Sequence, residues 1–233
     1  MAGHVGIVAC SAEGAALCYR TICAEAAPVM GEHNHPQITM HTHPLADYLV
    51  GIRAGDWSAV AELMLDSTRI VAAAGAELAV CPDNTIHQAF ELVEPRSPIR
   101  WLHIAREVAR AAKDRGYRTV GVLGTKYLMT GPVYPDALAA EGIERIIPDG
   151  PQRERIDEII FGQLVYGVMT NESRGWFCEV IEQMKSRRAE AVVLGCTEIP
   201  LLIDEAVSPL PTLDSTRLLA RAAIREATRA GGS

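Results

Sequence analysis

Two kinds of hydrophobic pattern alternate along the chain. Short runs that are apolar at nearly every position predict strands buried on both faces of a sheet, at 5–9, 37–42, 77–81, 118–124, 143–148 and 191–195. Segments with helical spacing of apolar residues lie between or after them, at 12–26, 57–74, 84–93, 102–115, 131–141, 152–166, 173–188 and 213–229. This alternation predicts βαβ units and a mostly parallel sheet, so the expected fold class is α/β.

The sequence also contains an internal repeat. Residues 5–19 align with 120–134, and residues 76–86 align with 189–199, each pair sharing its first two residues and its last. The order is kept and the two offsets differ by only two residues, which favours a duplicated half. We therefore expect two similar α/β halves related by pseudo-twofold symmetry, whose strand carboxyl ends meet in a cleft. The expected division is 1–97 plus 213–233 for the first half and 98–212 for the second.

The repeat aligns Cys196 with Asp83, not with Cys81. Cys196 follows a predicted strand at the start of a helical segment, where backbone N–H groups favour an anion and lower a thiol's pKa. We interpret it as a catalytic thiol. Cys81 stays an alternative for the base of the first half. The remaining cysteines fit small buried hydrophobes: Cys10, Cys18, Cys23 and Cys178.

Asp83 has two interpretations from sequence. It is an acid/base group that matches Cys196, or it caps the helix that begins there, as Asp and Asn after proline commonly do. Asn84 and Thr85, at the same strand end, offer donors for a carboxylate. His87 lies one helical turn after Asp83 and either tunes it by a hydrogen bond or lies on the surface.

No motif in the sequence requires a cofactor or a metal. His41 and His43 face the same way on an extended strand, but two ligands are too few for a closed metal site. No phosphate-binding or dinucleotide-binding glycine loop follows a strand, and no nucleophile elbow is present. Lys126, Arg153 and Arg155 follow strand ends and are candidates to hold a substrate carboxylate, although the two arginines fit a solvated helix face better.

Composition narrows the classes of partner. Lysine and arginine total 22 against 29 acids, for a net charge of -7, which argues against nucleic acid or an anionic membrane. The six cysteines include no CxxC pair, the amino-terminal residues do not resemble a signal peptide, and no apolar run approaches the ~18 residues of a membrane helix. We expect a cytoplasmic protein with free thiols.

Three segments resemble the aspartate/glutamate racemase family: LGCTEIPLL (194–202), PDNTIH (82–87) and VGIVACSAEG (5–14). The resemblance implies two flavodoxin-like halves with the active site between them, a cofactor-independent reaction and a homodimer. Typical members place one cysteine of each half beside the substrate's α-carbon. Carried over by motif, Cys196 is the second cysteine, and Asp83 stands where the first is usual.

The leading functional hypothesis is a racemase of aspartate or glutamate, with Cys196 acting on one face of the α-carbon and Asp83 on the other. Residues at predicted strand ends would bind the small acidic amino acid: Ser11, Asn84, Thr85, Thr125 and Thr197. An ordinary carboxylic acid, with a pKa of ~3.9, is a weak base for an α-proton. The alternatives are therefore a single-thiol decarboxylase or isomerase of substituted dicarboxylic acids, and a binding protein that has lost its activity.

Overall fold

The structure is a computed structural model that describes residues 3–230. Residues 1, 2 and 231–233, which the predicted first half includes, lie outside the described residues. All six predicted strands are present, with ends trimmed by up to two residues. The strands are β1 (Val5–Ala9), β2 (Ile38–Thr42), β3 (Leu78–Val80), β4 (Arg100–Leu102), β5 (Thr119–Leu123), β6 (Glu144–Ile146), β7 (Ala191–Leu194) and β8 (Thr212–Asp214).

Helices connect the strands, as the alternating pattern predicts. They are α1 (Ala12–Glu25), α2 (Ala27–Met30), α3 (Leu45–Ala54), α4 (Trp57–Ala73), α5 (Phe90–Val93), α6 (Ile104–Asp114), α7 (Lys126–Thr130), α8 (Val133–Ala140), α9 (Gly150–Gly162), α10 (Asn171–Ser186), α11 (Ile199–Leu202) and α12 (Ser215–Ala230). Short 3₁₀ turns occupy Thr85–Ala89, Glu94–Arg96 and Leu164–Tyr166. Across residues 3–230, no helix combines the length and the hydropathy that crossing a bilayer requires.

The strands form two parallel sheets with the same topology. Their orders are β2-β1-β3-β4 and β6-β5-β7-β8, as expected for two similar α/β halves. The registers agree with the sequence repeat: Val5 pairs with Leu78 in the first sheet, and Val120 pairs with Ala191 in the second. The repeat matches these same residues, Val5 to Val120 and Leu78 to Ala191. Positions a fixed number of residues beyond these strands are therefore equivalent in the two sheets.

The chain divides into two compact units. Unit 1 runs to Glu107 and resumes at Thr216, and unit 2 is Val108–Ser215. The boundaries expected from the sequence lie after residues 97 and 212. Each unit has its own core of fully buried side chains: Ile7, Cys18, Ile22 and Leu219 are examples in unit 1, and Phe177, Ile181, Val192 and Leu194 are examples in unit 2.

Two strands and one long helix were not predicted from the sequence. Strands β4 and β8 are only three residues long, and they form because β3 and β7 offer neighbours for pairing. Helix α3 contains Gly51, a poor helix former, which the fold nevertheless requires. A side chain at Gly51 would meet Val60 Cγ2 at 2.9 Å, so glycine lets α3 approach α4.

Candidate active site

Asp83 and Cys196 occupy equivalent positions in the two units. Asp83 lies three residues beyond Val80 of β3, and Cys196 lies three residues beyond Val193 of β7. Since the registers of both sheets follow the repeat, the alignment made from sequence also holds for the backbone. Each side chain is at the carboxyl edge of its own sheet, where parallel α/β folds place ligands.

The carboxylate of Asp83 is bound by backbone amides at the end of β1. Its Oδ2 accepts hydrogen bonds from the N–H groups of Cys10 at 3.2 Å and Ser11 at 3.1 Å. Ser11 is the N-cap of α1, and its own hydroxyl accepts from the Gly14 amide at 3.3 Å. The start of α1 therefore provides donors and a positive dipole end for the Asp83 carboxylate.

The 3₁₀ turn that follows Asp83 occupies Thr85–Ala89 and begins after Asn84, whose side chain makes no capping hydrogen bond to it. The Asp83 carboxylate reaches more than 70 residues back along the chain, because β1 and β3 are neighbours in the sheet. Asn84 is buried and Thr85 is half-buried beside it.

His87 is buried and fixes the backbone of this turn. Its side chain is 2% exposed, so the surface interpretation is wrong. The Ile104 amide donates to Nε2 at 3.4 Å, so the ring's proton lies on Nδ1, which donates to the Asp83 carbonyl oxygen at 3.0 Å. Burial lowers the pKa of His87 to about 4. The neutral imidazole is thus hydrogen-bonded to the backbone of Asp83 and not to its carboxylate.

Cys81, the alternative base of the first half, is fully buried. Its Sγ lies 3.8 Å from the Asp83 carbonyl oxygen, to which the thiol donates. Burial, followed by the charge of Asp83, raises the pKa of the Cys81 thiol well above its usual value. This thiol remains protonated and enclosed in the core.

In unit 2, glycine lets the chain reach the Cys196 position. A side chain at Gly195 would meet Leu128 Cδ2 at 2.6 Å and the Leu123 carbonyl oxygen at 2.8 Å, so only glycine fits where β7 leaves the sheet. Thr125, at the end of β5, is buried and caps α7 by accepting from the Leu128 amide at 3.2 Å. The close packing at Gly195 and the cap made by Thr125 both fix the backbone at the carboxyl edge of this sheet.

Glu198 is the residue at this edge to which sequence reasoning gave no role. It is 5% exposed, and its Oε2 accepts from Cys196 Sγ at 3.0 Å and from Thr197 Oγ1 at 2.7 Å. Its position two residues after Cys196 in LGCTEI was the sequence feature that could have indicated a contact with the thiol. Helix α11, after this turn, has only four residues, so the immediate neighbour of the sulfur is a carboxylate and not the end of a long helix.

The basic candidates are bound to other groups. Lys126 Nζ lies 3.3 Å from Glu154 and 3.9 Å from Asp157, whose carboxylate also accepts the Lys126 amide at 2.9 Å. Arg155 pairs with Glu158 at 3.2 Å on the exposed face of α9, and Arg153 donates to the Pro148 carbonyl oxygen. The expectation of a solvated helix face thus fits Arg155.

The two histidines of β2 and its following loop have separate partners. Nδ1 of His41 lies 2.9 Å from Ser67 Oγ, and Nε2 of His43 lies 3.0 Å from Asp66 Oδ2. Their rings are 5.0 Å apart, so they face the same side as their spacing predicts. Within the described residues, no group of three or more His, Cys, Asp or Glu side chains is placed to hold a metal ion.

Comparison with known proteins decides the family. The sequence profile described as Asp/Glu/Hydantoin racemase matches residues 7–223. The chain belongs to this family. Its family and its fold make it an isomerase of the racemase type.

Individual relatives agree with this membership. The structure of a candidate Asp/Glu racemase from Yersinia pestis is 29% identical, with a TM-score of 0.88, over 97% of this chain and 99% of that one. An aspartate racemase homologue from Pyrococcus horikoshii OT3 is 26% identical with a TM-score of 0.84, over 98% and 100%. The broad specificity amino-acid racemase RacX of Bacillus subtilis is 22% identical over 82% of each chain.

Proposed function

We propose that this racemase acts on a small acidic amino acid, aspartate or glutamate, without a cofactor. Asp83 and Cys196 are its two acid/base groups, each acting on one face of the α-carbon. The observation that carries the proposal is their equivalence, since each lies three residues beyond a matched strand residue, Val80 in β3 and Val193 in β7, of sheets with the same order. The broad-specificity relative of Bacillus subtilis supports an amino acid as the substrate.

The hydrogen bonds around the two groups suggest their resting protonation states. Asp83 accepts from two backbone amides, and such bonds stabilise a carboxylate. Cys196 donates to the Glu198 carboxylate, which suits a protonated thiol. The resting enzyme would then hold a base in unit 1 and an acid in unit 2.

The reaction follows from these states. The Asp83 carboxylate takes the α-proton, whose bonding electron pair stays on the carbon as a carbanion. The Cys196 thiol then gives its proton to the opposite face and becomes a thiolate, and the reverse reaction exchanges the roles. Donors near the strand ends would stabilise the negative charge on the substrate: Ser11, Asn84, Thr85, Thr125 and Thr197.

The burial of Cys81 supports Asp83 as the base of unit 1. A thiol at 0% exposure whose pKa is raised well above its usual value supplies neither a thiolate nor access to a substrate. Asp83 is half-buried and lies at the sheet edge. Glu198 would orient the Cys196 thiol and accept its hydrogen bond.

The amide bonds to Asp83 also favour a second candidate function. If these bonds make the carboxylate too weak a base for an α-proton, Cys196 works alone. A single thiol suffices to reprotonate one face after loss of carbon dioxide, so the enzyme would be a decarboxylase or isomerase of substituted dicarboxylic acids. The same experiment separates the two candidates.

Incubation in deuterium oxide with each enantiomer of aspartate and glutamate tests the proposal. Deuterium entering the α-position, with loss of optical rotation, is the expected result, and Cys196→Ala protein is the blank. Release of carbon dioxide from a substituted dicarboxylic acid, with amino acids left unchanged, would support the second candidate. Ligand binding without either reaction would contradict both.

We further propose a homodimer in a reducing compartment. The family resemblance supports the dimer, and the six cysteines, none of which forms a disulfide, support the compartment. Sedimentation velocity of the purified protein tests the dimer; a monomer at micromolar concentration would contradict it.

A further inference from the structure

The peptide group between Leu194 and Gly195, directly before Cys196, is hydrogen-bonded on both sides. Its N–H donates to the Leu123 carbonyl oxygen of β5 at 2.8 Å. Its carbonyl oxygen accepts from the hydroxyl of Ser215 at 2.9 Å. Because a peptide group is planar, bonds to both of its ends fix the orientation of the whole plane. The direction in which the chain continues to Cys196 is therefore fixed as well.

Close packing around this peptide group explains why it needs such bonds. A side chain at Gly195 would meet Leu128 Cδ2 at 2.6 Å, and a side chain at Gly124 would meet the Gly195 carbonyl oxygen at 3.2 Å. Glycine relieves these contacts, but it restricts φ and ψ less than any other residue does. The backbone before Cys196 therefore depends on hydrogen bonds, and not on a side chain of its own, to stay in one conformation.

The Ser215 hydroxyl reaches this peptide group from the neighbouring strand. The pairing of β7 with β8 ends at Leu194 and Asp214, and Ser215, the next residue, begins α12. Ser215 and Leu194 are each 1% exposed, so the bond between them is shielded from bulk water. A buried acceptor that loses its donor carries a desolvation cost. Solvent therefore cannot readily replace the Ser215 hydroxyl.

The strand pairings match Ser215 of unit 2 with Ile104 of unit 1. The repeat equates one residue of β3 with one of β7, and each of these pairs with a residue of the strand beside it: Val80 with Leu102, and Val193 with Leu213. Ile104 and Ser215 each lie two residues beyond the second member of their pair. Each is also the first residue of the helix that follows, α6 or α12.

In unit 1, the residue that matches Ser215 also takes part in holding the turn of the site residue. The Ile104 amide donates to Nε2 of His87 at 3.4 Å, and Nδ1 of His87 donates to the Asp83 carbonyl oxygen at 3.0 Å. In unit 2 the matched residue makes the bond itself, through its side chain. The same backbone position thus fixes the segment beside Asp83 in one unit and the segment beside Cys196 in the other.

We propose that Ser215 is a positioning residue for Cys196. The inference rests on the proposed function, in which this thiol acts on one face of the α-carbon. Ser215 acts only through the backbone, and its hydroxyl neither gives nor takes a proton in the reaction. By fixing the Leu194–Gly195 peptide group, it keeps Cys196 Sγ where it donates to Glu198 Oε2 at 3.0 Å.

Ser215→Ala is the direct test, because it removes one buried oxygen atom and adds no bulk. We expect kcat for racemisation to fall ~10-fold with KM nearly unchanged, since a small displacement of a reacting group costs rate. Alkylation of Cys196 by iodoacetamide, measured by mass spectrometry of its peptide, is a readout that does not depend on turnover. We expect it to become faster, because a displaced sulfur no longer donates to Glu198 and meets the reagent more freely.

The two enantiomers of the substrate should respond differently. Under the proposed function, Cys196 removes the α-proton of one enantiomer and Asp83 removes that of the other. In Ser215→Ala, deuterium exchange that begins at Cys196 should fall ~10-fold, and exchange that begins at Asp83 should stay close to the wild-type rate. Equal losses for both enantiomers would make Ser215 a general structural residue and overturn the positioning role.

Ser173→Ala is the matched control in the same unit. Ser173 is a buried serine of α10, 3% exposed, whose hydroxyl donates to Gln163 Oε1 at 2.6 Å. Its loss should lower the melting temperature while kcat and the alkylation of Cys196 stay at wild-type values. A Ser215→Ala enzyme that behaves in this same way overturns the positioning role, and the proposed function stands. Racemisation by Cys196→Ala protein overturns the proposed function and this inference together.

Discussion

The two units present opposite electrostatics at the same backbone position. In unit 1, position 83 is a carboxylate held by two amide donors. In unit 2, position 196 is a thiol that donates to a buried carboxylate. At these two equivalent positions, the surroundings of Asp83 thus favour an anion, and the surroundings of Cys196 favour a bound proton. Under the proposed mechanism, a duplicated fold supplies a base and an acid by changing only the residues just beyond the strand.

A second contrast concerns how each turn is held. His87 bridges the Asp83 carbonyl oxygen and the Ile104 amide in unit 1. The repeat places Pro200, inside the short helix α11, at the equivalent position of unit 2. The first position therefore carries a side chain that can titrate, whereas Pro200 has no side-chain group that binds a proton. Acid should therefore affect the two turns differently.

Removal of the unit 2 thiol should have the largest effect. We expect Cys196→Ala to lower racemisation by ~10³-fold or more, because the proposed mechanism assigns protonation of that face to this thiol. The protein should still fold, since the side chain is half-buried at a rim and leaves a small cavity at most. Rates and thermal melting measure both. Cys178→Ala, the other half-buried thiol of unit 2, is the control and should keep its activity.

Changes at Asp83 test whether unit 1 supplies the base. Asp83→Asn keeps an oxygen that accepts the two amides but is not a base, so we expect a ~10²–10⁴-fold loss of α-proton exchange from one face, with substrate binding kept. Asp83→Cys would make the two units alike and should keep or raise racemisation. Deuterium exchange with each enantiomer measures this, with Cys81→Ala as the control. An active Asp83→Asn beside an inactive Cys81→Ala would assign the base to Cys81.

Acid should loosen the unit 1 turn before the unit 2 turn. The pKa of His87 is lowered to about 4, against ~6.5 when unfolded, so the unfolded chain binds a proton that the native state does not. The His87 contribution should lower the free energy of unfolding by ~1.4 kcal/mol per pH unit as pH drops from 6.5 to 4, about 3 kcal/mol in all. Denaturant titrations across this range measure the change, and hydrogen exchange shows which turn opens.

His87→Gln tests the contribution of the His87 imidazole to this pH dependence. It should flatten the pH dependence between 6.5 and 4 in part, because burial also lowers the pKa of the neighbouring His103 to about 2. His33→Gln, at an exposed position, should leave the wild-type slope intact. If the free energy of unfolding of His87→Gln depends on pH as steeply as that of the wild type, His87 does not set the acid sensitivity.

Neutralising Glu198 should have the smallest effect. Glu198→Gln keeps an oxygen that can accept from Cys196 and Thr197 but removes the buried charge, so we expect a ~10-fold loss in kcat with KM nearly unchanged. Glu205→Gln, at an exposed position, is the charge-matched control. Equal kinetics for both variants would mean that the Glu198 charge plays no part in the reaction.

Local pattern was enough for much of the fold. The six apolar runs became strands, because strands covered on both faces must be apolar throughout. Most of the amphipathic segments became helices, but the segment predicted at 84–93 is a 3₁₀ turn at Thr85–Ala89 followed by the four-residue helix α5. The three-residue strands β4 and β8 were missed because their pairing partners, and not their own residues, make them strands. Helix α3 was missed because Gly51 lowers its propensity, while its close approach to Val60 is a tertiary requirement.

The sequence by itself determined which positions of the two units are equivalent. The internal repeat can be found by aligning residues in the chain, and the strand registers of both sheets agree with that alignment. Asp83 and Cys196 could be matched in this way without coordinates. Only the tertiary structure decided what each of them contacts. The amides of Cys10 and Ser11 come from a strand more than 70 residues away, and parallel pairing of β1 with β3 brings them to Asp83. Burial of Cys81, His87 and Tyr48 is likewise a property of packed neighbours, because desolvation depends on every element that covers a side chain and not on the residues next to it in the chain.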